Sequence, residues 1–447
     1  MLELFRAKLR PSSKDLQIQA CVPVKLRLLS SGSRCILQYV LQLVRSNGST
    51  TTAWVTCVIY ARPGEADRAV AEQSAADSSQ TIRSLGFEPL TLIPELQMLI
   101  QVFPHDHLIL GLGPLMSQPW PELEHSLLAS LGPGPWEIDQ QTVEPLRYLA
   151  GDSAVLRYTV VAQNPATSAR QTKRCYVKVY RTRHGGEVFR LLQSARDPQG
   201  IDGEHFGIVE PLTYCAERRC LVLHEAPGRS LQDVLLGPGD SLGAVRGVAR
   251  ALAAFHQRGI PATSHRSAEE QIGFLNRAAE LLCWACPASG ELMAALVREV
   301  RAGLGGGPAV PIHWDLKSDH IFIEGDRVMF IDLDTVCLGD PARDAAHLAA
   351  QIACRIELPD LPEDLARAAA RTLVEEYFAH VPAHWRRQFP LQYTIAVVEA
   401  ACGLFKRQAP RWRERATAAL DQARAVSYAI PPGTFHAFPL ARQGERK

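Results

Sequence analysis

The sequence has no uninterrupted apolar stretch of about 18 residues, the length that a membrane-spanning helix requires. Its opening segment, MLELFRAKLRPSSKD, contains basic side chains but lacks the apolar core of a secretory signal. Neither charge is in surplus, because 48 basic residues stand against 47 acidic ones. We therefore expect no spanning helix, no membrane partner and no nucleic-acid partner, since nothing in the overall charge favours an anionic polymer or surface.

The eleven cysteines lack the pattern of a disulfide framework or a zinc site. They are odd in number and scattered through apolar segments, which is typical of packed, reduced thiols. The one close pair, Cys283 and Cys286, has neither a second pair nor histidines at zinc spacing. The cysteines therefore predict a reducing, cytoplasmic location.

The length and the patterning indicate a mixed α+β protein with more than one structural unit. At 447 residues the chain exceeds a single simple core, and typical domain sizes predict roughly two to four units. Short β-rich runs such as CILQYVLQLV, AWVTCVIYA, AVLRYTVVAQ and RCYVKVYR fill the first half, and longer Ala/Leu/Arg helical patterns dominate the second.

A degenerate repeat organises the first half. The tetrapeptide that begins at Glu88 recurs at Glu210, and further matches follow in the same order, including Gly32 with Gly151, Leu37 with Leu156, Tyr60 with Tyr180 and Leu99 with Leu221. In this alignment Val58 stands where Lys178 stands, so only the second copy keeps a cation. We interpret the first copy as a non-catalytic cap.

The second copy opens a series of chemically capable residues. Lys178 lies in a β-rich run, Glu187 follows in a helical pattern, and the strand CLVLH leads into the segment EAPGRS. Later come His313-Trp-Asp315 and an apolar strand that ends in Asp332-Leu-Asp334. Phosphoryl transfer from a nucleotide needs such a set: a cation for the phosphates, backbone groups for the base, a carboxylate for the attacking hydroxyl and another for a metal ion.

These motifs resemble the aminoglycoside phosphotransferase and choline kinase family, a branch of the protein-kinase-like fold, over about residues 140 to 425. The matching segments are His313-x-Asp315, Phe330 to Asp334 and Gly339 to Asp344. The resemblance implies an α+β, bilobal, protein-kinase-like fold with a β-rich N-lobe and a helical C-lobe, preceded by an additional β-rich N-lobe-like domain. We predict a cap domain at 1–135, a nucleotide lobe and hinge at 136–228, a helical lobe at 229–430 and a tail at 431–447.

The resemblance also implies roles for single residues. In the helical lobe, Asp315 would be the catalytic base that accepts or orients the proton of the acceptor hydroxyl, and His313 would be a second catalytic residue. Asp332 would be the principal metal ligand, and Asp344 would be a buried support for the catalytic loop. Asp334 would be either a second metal ligand or a solvated turn residue.

In the nucleotide lobe, Lys178 would contact phosphate, with Glu187 as its candidate partner. Glu225 and Ala226 would offer hinge backbone groups to an adenine. The turn from Leu149 to Ser153 takes the place of a phosphate-covering loop but contains a single glycine, so it predicts only a weak phosphate cradle.

Two positions depart from the family pattern. His320 replaces the usual asparagine, and an imidazole nitrogen is a softer ligand than the carbonyl oxygen that Mg²⁺ prefers. Trp314 replaces a commoner small residue, which predicts a narrower acceptor pocket.

The expected function is an ATP-dependent small-molecule kinase, with GTP as the alternative nucleotide and Mg²⁺ or Mn²⁺ as the ion. Its acceptor would be a hydroxyl of a sugar, aminoglycoside, amino alcohol or similar metabolite. The alternative is a pseudokinase-like binding or regulatory module. The basic segment KRQAPRWRER at 406–415 is interpreted as a solvated helix face, with an anionic-acceptor contact as its alternative. The sequence leaves the acceptor and the oligomeric state open.

Overall fold

The computed structural model describes residues 1–9, 11, 15–29, 33–76, 87–195, 206–258, 260–262 and 264–428. Gly32 of the repeat and the predicted tail at 431–447 lie outside these residues. The chain divides into two compact units. The first contains Met1–Phe189, Pro211–Glu225 and Lys406–Gln408, and the second contains Arg190–Glu210, Ala226–Phe405 and Ala409–Lys447.

Up to Glu225 the chain is mostly β-structure. Its elements are α1 (Leu2–Lys8), β1 (Leu16–Leu28), β2 (Arg34–Arg45), β3 (Thr50–Tyr60), α2 (Glu65–Ala76), β4 (Leu90–Ile93), β5 (Met98–Val102), α3 (Leu112–Ser117), α4 (Pro121–Ala129), β6 (Glu137–Leu149), β7 (Ser153–Gln163), β8 (Arg170–Tyr180), α5 (His184–Ser194), β9 (Phe206–Ile208), β10 (Pro211–Cys215) and β11 (Cys220–His224).

The first unit contains two five-stranded sheets with the same topology. Their strand orders are β1-β2-β3-β5-β4 and β6-β7-β8-β11-β10, with α2 and α5 following the third strand of each. The pairing of the first two strands has two register shifts in each sheet, between Ile18/Ala20 and Pro23/Lys25 in the first and between Ile138/Gln140 and Pro145/Arg147 in the second.

The register of the two sheets agrees with the sequence repeat. Val58 pairs with Leu99 in the first sheet, and Lys178 pairs with Leu221 in the second. The hydrogen bond from Tyr60 N to Gln97 O, at 3.0 Å, has its counterpart from Tyr180 N to Arg219 O, at 2.9 Å. This agreement supports the predicted duplication, and it places Val58 at the position of Lys178.

The segment that contains α3 and α4 covers one face of the second sheet. Alternate residues of β7 are buried on this face, as the period of a strand requires. They pack against apolar side chains of the covering segment, namely Phe103, Ile109, Leu112, Leu115, Trp120, Leu123 and Leu127. Lys178 lies between two buried residues of this face, Val177 and Val179, so its side chain belongs to the opposite face.

The rest of the chain is mainly helical. Its elements are β12 (Arg229–Ser230), α6 (Leu231–Leu236), α7 (Ser241–Arg258), α8 (Ala268–Ala285), α9 (Gly290–Gly303), β13 (Val310–Ile312), β14 (Ile321–Glu324), β15 (Arg327–Phe330), β16 (Cys337–Gly339), α10 (Ala342–Ala353), α11 (Glu363–Ala379), α12 (Phe389–Lys406) and α13 (Trp412–Tyr428). The predicted α+β class, with a β-rich lobe followed by a helical lobe, is confirmed.

Two small antiparallel pairings in the second unit bring its functional loops together. Strand β13 pairs with β16, and β14 pairs with β15. The first loop, 313–320, leaves β13 and enters β14, while the second, 331–336, leaves β15 and enters β16. Each loop therefore connects the β13–β16 pair with the β14–β15 pair. This connection holds the predicted catalytic and metal motifs side by side.

Among the described residues, no helix is long and apolar enough to cross a membrane. All eleven cysteines are free thiols, including Cys283 and Cys286.

Candidate active site

The loop that carries His313 and Asp315 is fixed by a buried carboxylate. Asp344, at the start of α10, is fully buried. One of its oxygens accepts the backbone N–H of His313 at 2.6 Å, and the other accepts that of Trp314 at 2.9 Å. Two backbone hydrogen bonds to one carboxylate set the direction of the loop as it leaves β13. This is the contact expected of the predicted loop support.

A histidine contacts that carboxylate directly, and a tyrosine contacts the histidine. His256 of α7 donates from Nε2 to Asp344 at 3.0 Å, and its Nδ1 lies 2.7 Å from the hydroxyl of Tyr377 in α11. Burial acts to raise the pKa of the Asp344 carboxyl, but the hydrogen bond from His256 and those of the loop lower it overall. Asp344 is thus a buried, charged carboxylate that accepts hydrogen bonds from three donors.

Asp315 itself remains open to a reactant. Its side chain is 39 % exposed, and one oxygen accepts from the Lys317 ammonium at 2.7 Å. Burial opposes ionisation of this carboxyl, but Lys317 overcomes that effect and brings the pKa to about 2. His347 lies 3.8 Å away, and burial lowers the pKa of its imidazole to about 3, so this ring is neutral at pH 7.

His313 is placed to hold the loop. Its side chain is buried, and Nε2 donates to the carbonyl of Ile331 at 2.8 Å, which ties the first loop to the second. The hydroxyl of Thr335 donates to the carbonyl of His313 at 2.9 Å, from the second loop. These are the contacts of a positioning residue, and a direct catalytic role for His313 stays a prediction.

His320 and Asp332 form the candidate metal site. The Nδ1–H of His320 donates to the carbonyl of Asp315 at 2.9 Å, and its Nε2 lies 3.4 Å from an Asp332 carboxylate oxygen. Burial lowers the pKa of the imidazole, although Asp332 and Asp319 oppose that effect. A neutral ring whose Nδ1 proton is engaged presents the lone pair of Nε2, which is the usual state of a metal-binding histidine.

The donor set therefore fits a divalent ion with mixed nitrogen and oxygen ligands. Among the described residues, no group of three or more His, Cys, Asp or Glu side chains gathers as a complete metal cage. Two protein ligands suffice where substrate phosphates and water complete the coordination sphere. Asp334 is half-buried in the short 3₁₀ turn Leu333–Thr335, and its metal role stays a prediction.

Both loops contain a residue in the left-handed region of φ. Trp314 has φ 73° and Asp332 has φ 61°. Such backbone is costly for a bulky side chain, and it recurs at functional sites where the surrounding structure imposes it. The centre of the Trp314 ring lies 4.8 Å from the guanidinium carbon of Arg343 and 5.3 Å from that of Arg266, and the ring meets the ring of Phe274.

The nucleotide-lobe candidates lie in the first unit. Lys178 stands in β8 with its Nζ 5.7 Å from the Tyr180 ring centre. The Glu187 side chain is 69 % exposed and accepts from His184 at 3.1 Å, while its pairing with Lys178 stays a prediction. Glu225, at the end of this unit, is exposed and lies 3.3 Å from the Tyr176 hydroxyl.

Ala226 begins the next segment of the second unit and is half-buried. The roles of Glu225 and Ala226 toward an adenine also stay predictions.

Several residues that shape the site are not predicted by the sequence motifs. Lys317 is two residues from Asp315, so its position in the motif could have revealed it. His256 could have been found as a lone imidazole in the apolar pattern ALAAFHQ. No local signal marks Tyr377 or His347, because their contacts arise only from helix packing.

The sequence model of the Phosphotransferase enzyme family matches residues 140–380. A search of curated proteins finds no match to the chain.

Solved structures with similarity include a choline/ethanolamine kinase family protein from Mesorhizobium loti, at 14 % identity and a TM-score of 0.41, covering 68 % of this chain and 94 % of that one. An ethanolamine kinase from Plasmodium vivax has 12 % identity and a TM-score of 0.41, covering 64 % and 83 %. The ADP-bound aminoglycoside phosphotransferase APH(2″)-Ib has 13 % identity and a TM-score of 0.39, covering 67 % and 96 %.

Proposed function

The chain belongs to the phosphotransferase enzyme family, and from this membership we propose that it transfers the γ-phosphoryl group of ATP to a hydroxyl of a small metabolite. The acceptor classes are those predicted from the sequence: a sugar, an aminoglycoside, an amino alcohol or a similar compound. GTP is the alternative donor.

The observation that carries the proposal is the state of Asp315. This carboxylate is ionised, partly exposed and mounted on a loop whose backbone is bonded to a second, fully buried carboxylate. With a pKa of about 2 it is a weak proton acceptor, so its main role is to orient the acceptor hydroxyl toward the phosphorus. Phosphoryl transfer through a loose transition state relies mostly on such positioning.

The other residues would position the nucleotide. Lys178 would neutralise phosphate charge, and His320 with Asp332 would hold a divalent ion, which when bound neutralises the charge of the phosphates. His313 would keep the two loops in contact, because its ring bonds to the backbone of the second loop.

The rival proposal is a kinase-shaped binding module, and the histidine at position 320 is the observation that favours it. The two functions separate in one experiment. Release of ADP from ATP is measured across a panel of hydroxylated metabolites, with Mg²⁺ and with Mn²⁺, for the wild type and for Asp315→Asn. Asp326→Asn, an exposed acid in the β14–β15 turn, is the matched control.

We expect at least one acceptor to stimulate ADP release in the wild type and in the control. In Asp315→Asn that turnover should fall by roughly two orders of magnitude or more, with ATP affinity within a few fold. Nucleotide binding without any acceptor-dependent turnover would instead support the binding module, and undiminished turnover in Asp315→Asn would remove this residue from the mechanism.

A further inference from the structure

The turn between β6 and β7 is held by a buried carboxylate of the N-terminal domain. Asp106 is only 7 % exposed, and its Oδ2 accepts the backbone N–H of Gly151 at 2.7 Å and the hydroxyl of Tyr148 at 2.8 Å. Its Oδ1 accepts the N–H of Leu108 at 2.9 Å. The carboxylate is thus fixed in its own segment and bonded both to the end of β6 and to the turn itself.

A second pair of contacts engages the carbonyl groups of the same region. Arg27 of β1 donates from Nη1 to the carbonyl of Ala150 at 2.8 Å. Gln38 of β2 donates from Nε2 to the carbonyl of Tyr148 at 3.2 Å, in a buried position. Three side chains from separate parts of the N-terminal domain therefore fix one short turn.

Packing supports these hydrogen bonds. The Tyr148 ring stacks on Trp54 at 5.7 Å and meets the edge of Phe103 at 5.0 Å. Gly151 has φ +68°, and a Cβ there would lie 3.1 Å from a methyl group of Leu108. The single glycine of the turn is thus required by its backbone conformation and by the close approach of the N-terminal domain.

These contacts matter for the nucleotide site because of where the turn lies in the sheet. It joins the first two strands of the sheet that carries Lys178, and it takes the place of a phosphate-covering loop, although its single glycine predicts only a weak phosphate cradle. A loop with several glycines is mobile and is ordered when the nucleotide binds, at a cost in conformational entropy. Here the order comes from the protein itself, because the Gly151 amide and the Ala150 carbonyl are already bonded.

We propose that Asp106 is a positioning residue for the nucleotide. Through Gly151 and Tyr148 it holds the β6–β7 turn in the shape that covers the phosphates. The N-terminal domain, residues 1–135, is thereby a fixed part of the nucleotide site. The inference rests on the proposed kinase function. It assigns the extra domain a task for which it needs no lysine and no catalytic loop of its own.

The test compares ligands that differ only in their phosphates. Dissociation constants for ATP, ADP and adenosine are measured by calorimetry on the full chain, for the wild type, Asp106→Ala and Asp106→Asn. We expect Asp106→Ala to weaken ATP and ADP roughly fivefold or more while adenosine changes less than about twofold, because the turn covers the phosphates and not the base. Asp106→Asn keeps an acceptor for Gly151 but turns its NH2 group toward the N–H of Leu108, so it should recover only part of the loss.

A matched control separates positioning from stability. Glu124 makes the same kind of contact elsewhere in the same domain, since its Oε1 accepts from the Tyr158 hydroxyl at 2.8 Å and from Trp120 N at 2.9 Å. Glu124→Ala should lower the melting temperature but leave the ratio of ATP to adenosine affinity unchanged.

Arg27→Met removes the hydrogen bond to Ala150 from a half-buried surface position, so this variant should still fold. It therefore tests the inference if Asp106→Ala does not fold. We expect it to weaken ATP about twofold without affecting adenosine. An unchanged ATP-to-adenosine ratio in the folded Asp106 variant, or in Arg27→Met where it is the deciding variant, overturns the inference. A wild type that binds neither ATP nor adenosine would instead refute the proposed function, on which the inference rests.

Discussion

The Nε2 atom of His320 lies 3.4 Å from a carboxylate oxygen of Asp332, while the other ring nitrogen donates to the carbonyl of Asp315 at 2.9 Å. One side chain therefore links the first loop, 313–320, to the second loop, 331–336. It also turns a nitrogen lone pair toward the residue that is expected to be the principal metal ligand.

His320→Asn should change the metal preference. An imidazole nitrogen favours Mn²⁺ over Mg²⁺, whereas the asparagine carbonyl oxygen is a hard ligand that suits Mg²⁺. In the presence of ADP, the wild type should show a ratio of Mn²⁺ to Mg²⁺ affinity roughly tenfold above that of the variant. Competition titrations followed by the electron paramagnetic resonance of Mn²⁺ measure this ratio directly. Equal ratios would show that His320 only fixes the loop.

Lys178→Ala should weaken the affinity for ATP at least about tenfold, because no other cation is predicted to contact the phosphates from this sheet. The first copy offers the matched control. Val58 occupies the position equivalent to Lys178, opposite Leu99. A double variant, Lys178→Ala with Val58→Lys, should bind ATP no better than Lys178→Ala alone in the same calorimetric titration. Recovery of binding would give the first copy a nucleotide site and refute its interpretation as a cap.

Much of the fold could be predicted from local patterns. The alternation along β7 and the apolar spacing of α7 and α8 are visible in the sequence, and the repeat predicted which positions of the two sheets are equivalent. By contrast, α12 is buried on most of its surface, so it has no single apolar stripe from which a helix could be read.

The contacts that fix the site could not be predicted in the same way. His256 and Asp344 are 88 residues apart in sequence, and His256 and Tyr377 are 121 apart, so only the packing of three helices brings them together. The bond between Asp106 and Gly151 likewise spans two domains of the sequence prediction. Sequence motifs predict which residues carry the chemistry, whereas the contacts that support those residues depend on tertiary structure.

Trp314→Gly should widen the range of acceptors. The tryptophan precedes Asp315, its ring contacts two guanidinium groups, and it has φ 73°, a conformation that glycine adopts without strain. Once an acceptor is identified, the ratio of kcat/KM for a bulkier analogue to kcat/KM for that acceptor should rise roughly tenfold in the variant, with ATP affinity unchanged.

Trp284→Ala, at a tryptophan that is 70 % exposed on α8, is the control and should leave this ratio unchanged. An unaltered ratio in Trp314→Gly would mean that this ring does not bound the acceptor pocket.

Asp340→Asn should stabilise the protein at neutral pH, and the gain should become smaller as the pH falls below about 6. Burial raises the pKa of this carboxyl from 3.8 to about 6, although the backbone N–H of Ala342 donates to it at 2.9 Å. The folded state therefore holds the proton more tightly than the unfolded state, so the stability that the proton contributes is present below pH 3.8 and is lost as pH rises through about 6. Asparagine mimics the protonated carboxyl and can still accept from Ala342. The gain in the free energy of unfolding should be roughly 1–3 kcal/mol at pH 7.5.

Urea denaturation of the wild type and of Asp340→Asn at pH 4.5 and pH 7.5 measures this gain. Asp326→Asn, at an exposed turn, should show no such dependence on pH. A gain of equal size at both pH values would contradict the raised pKa, since it would come from something other than ionisation of Asp340.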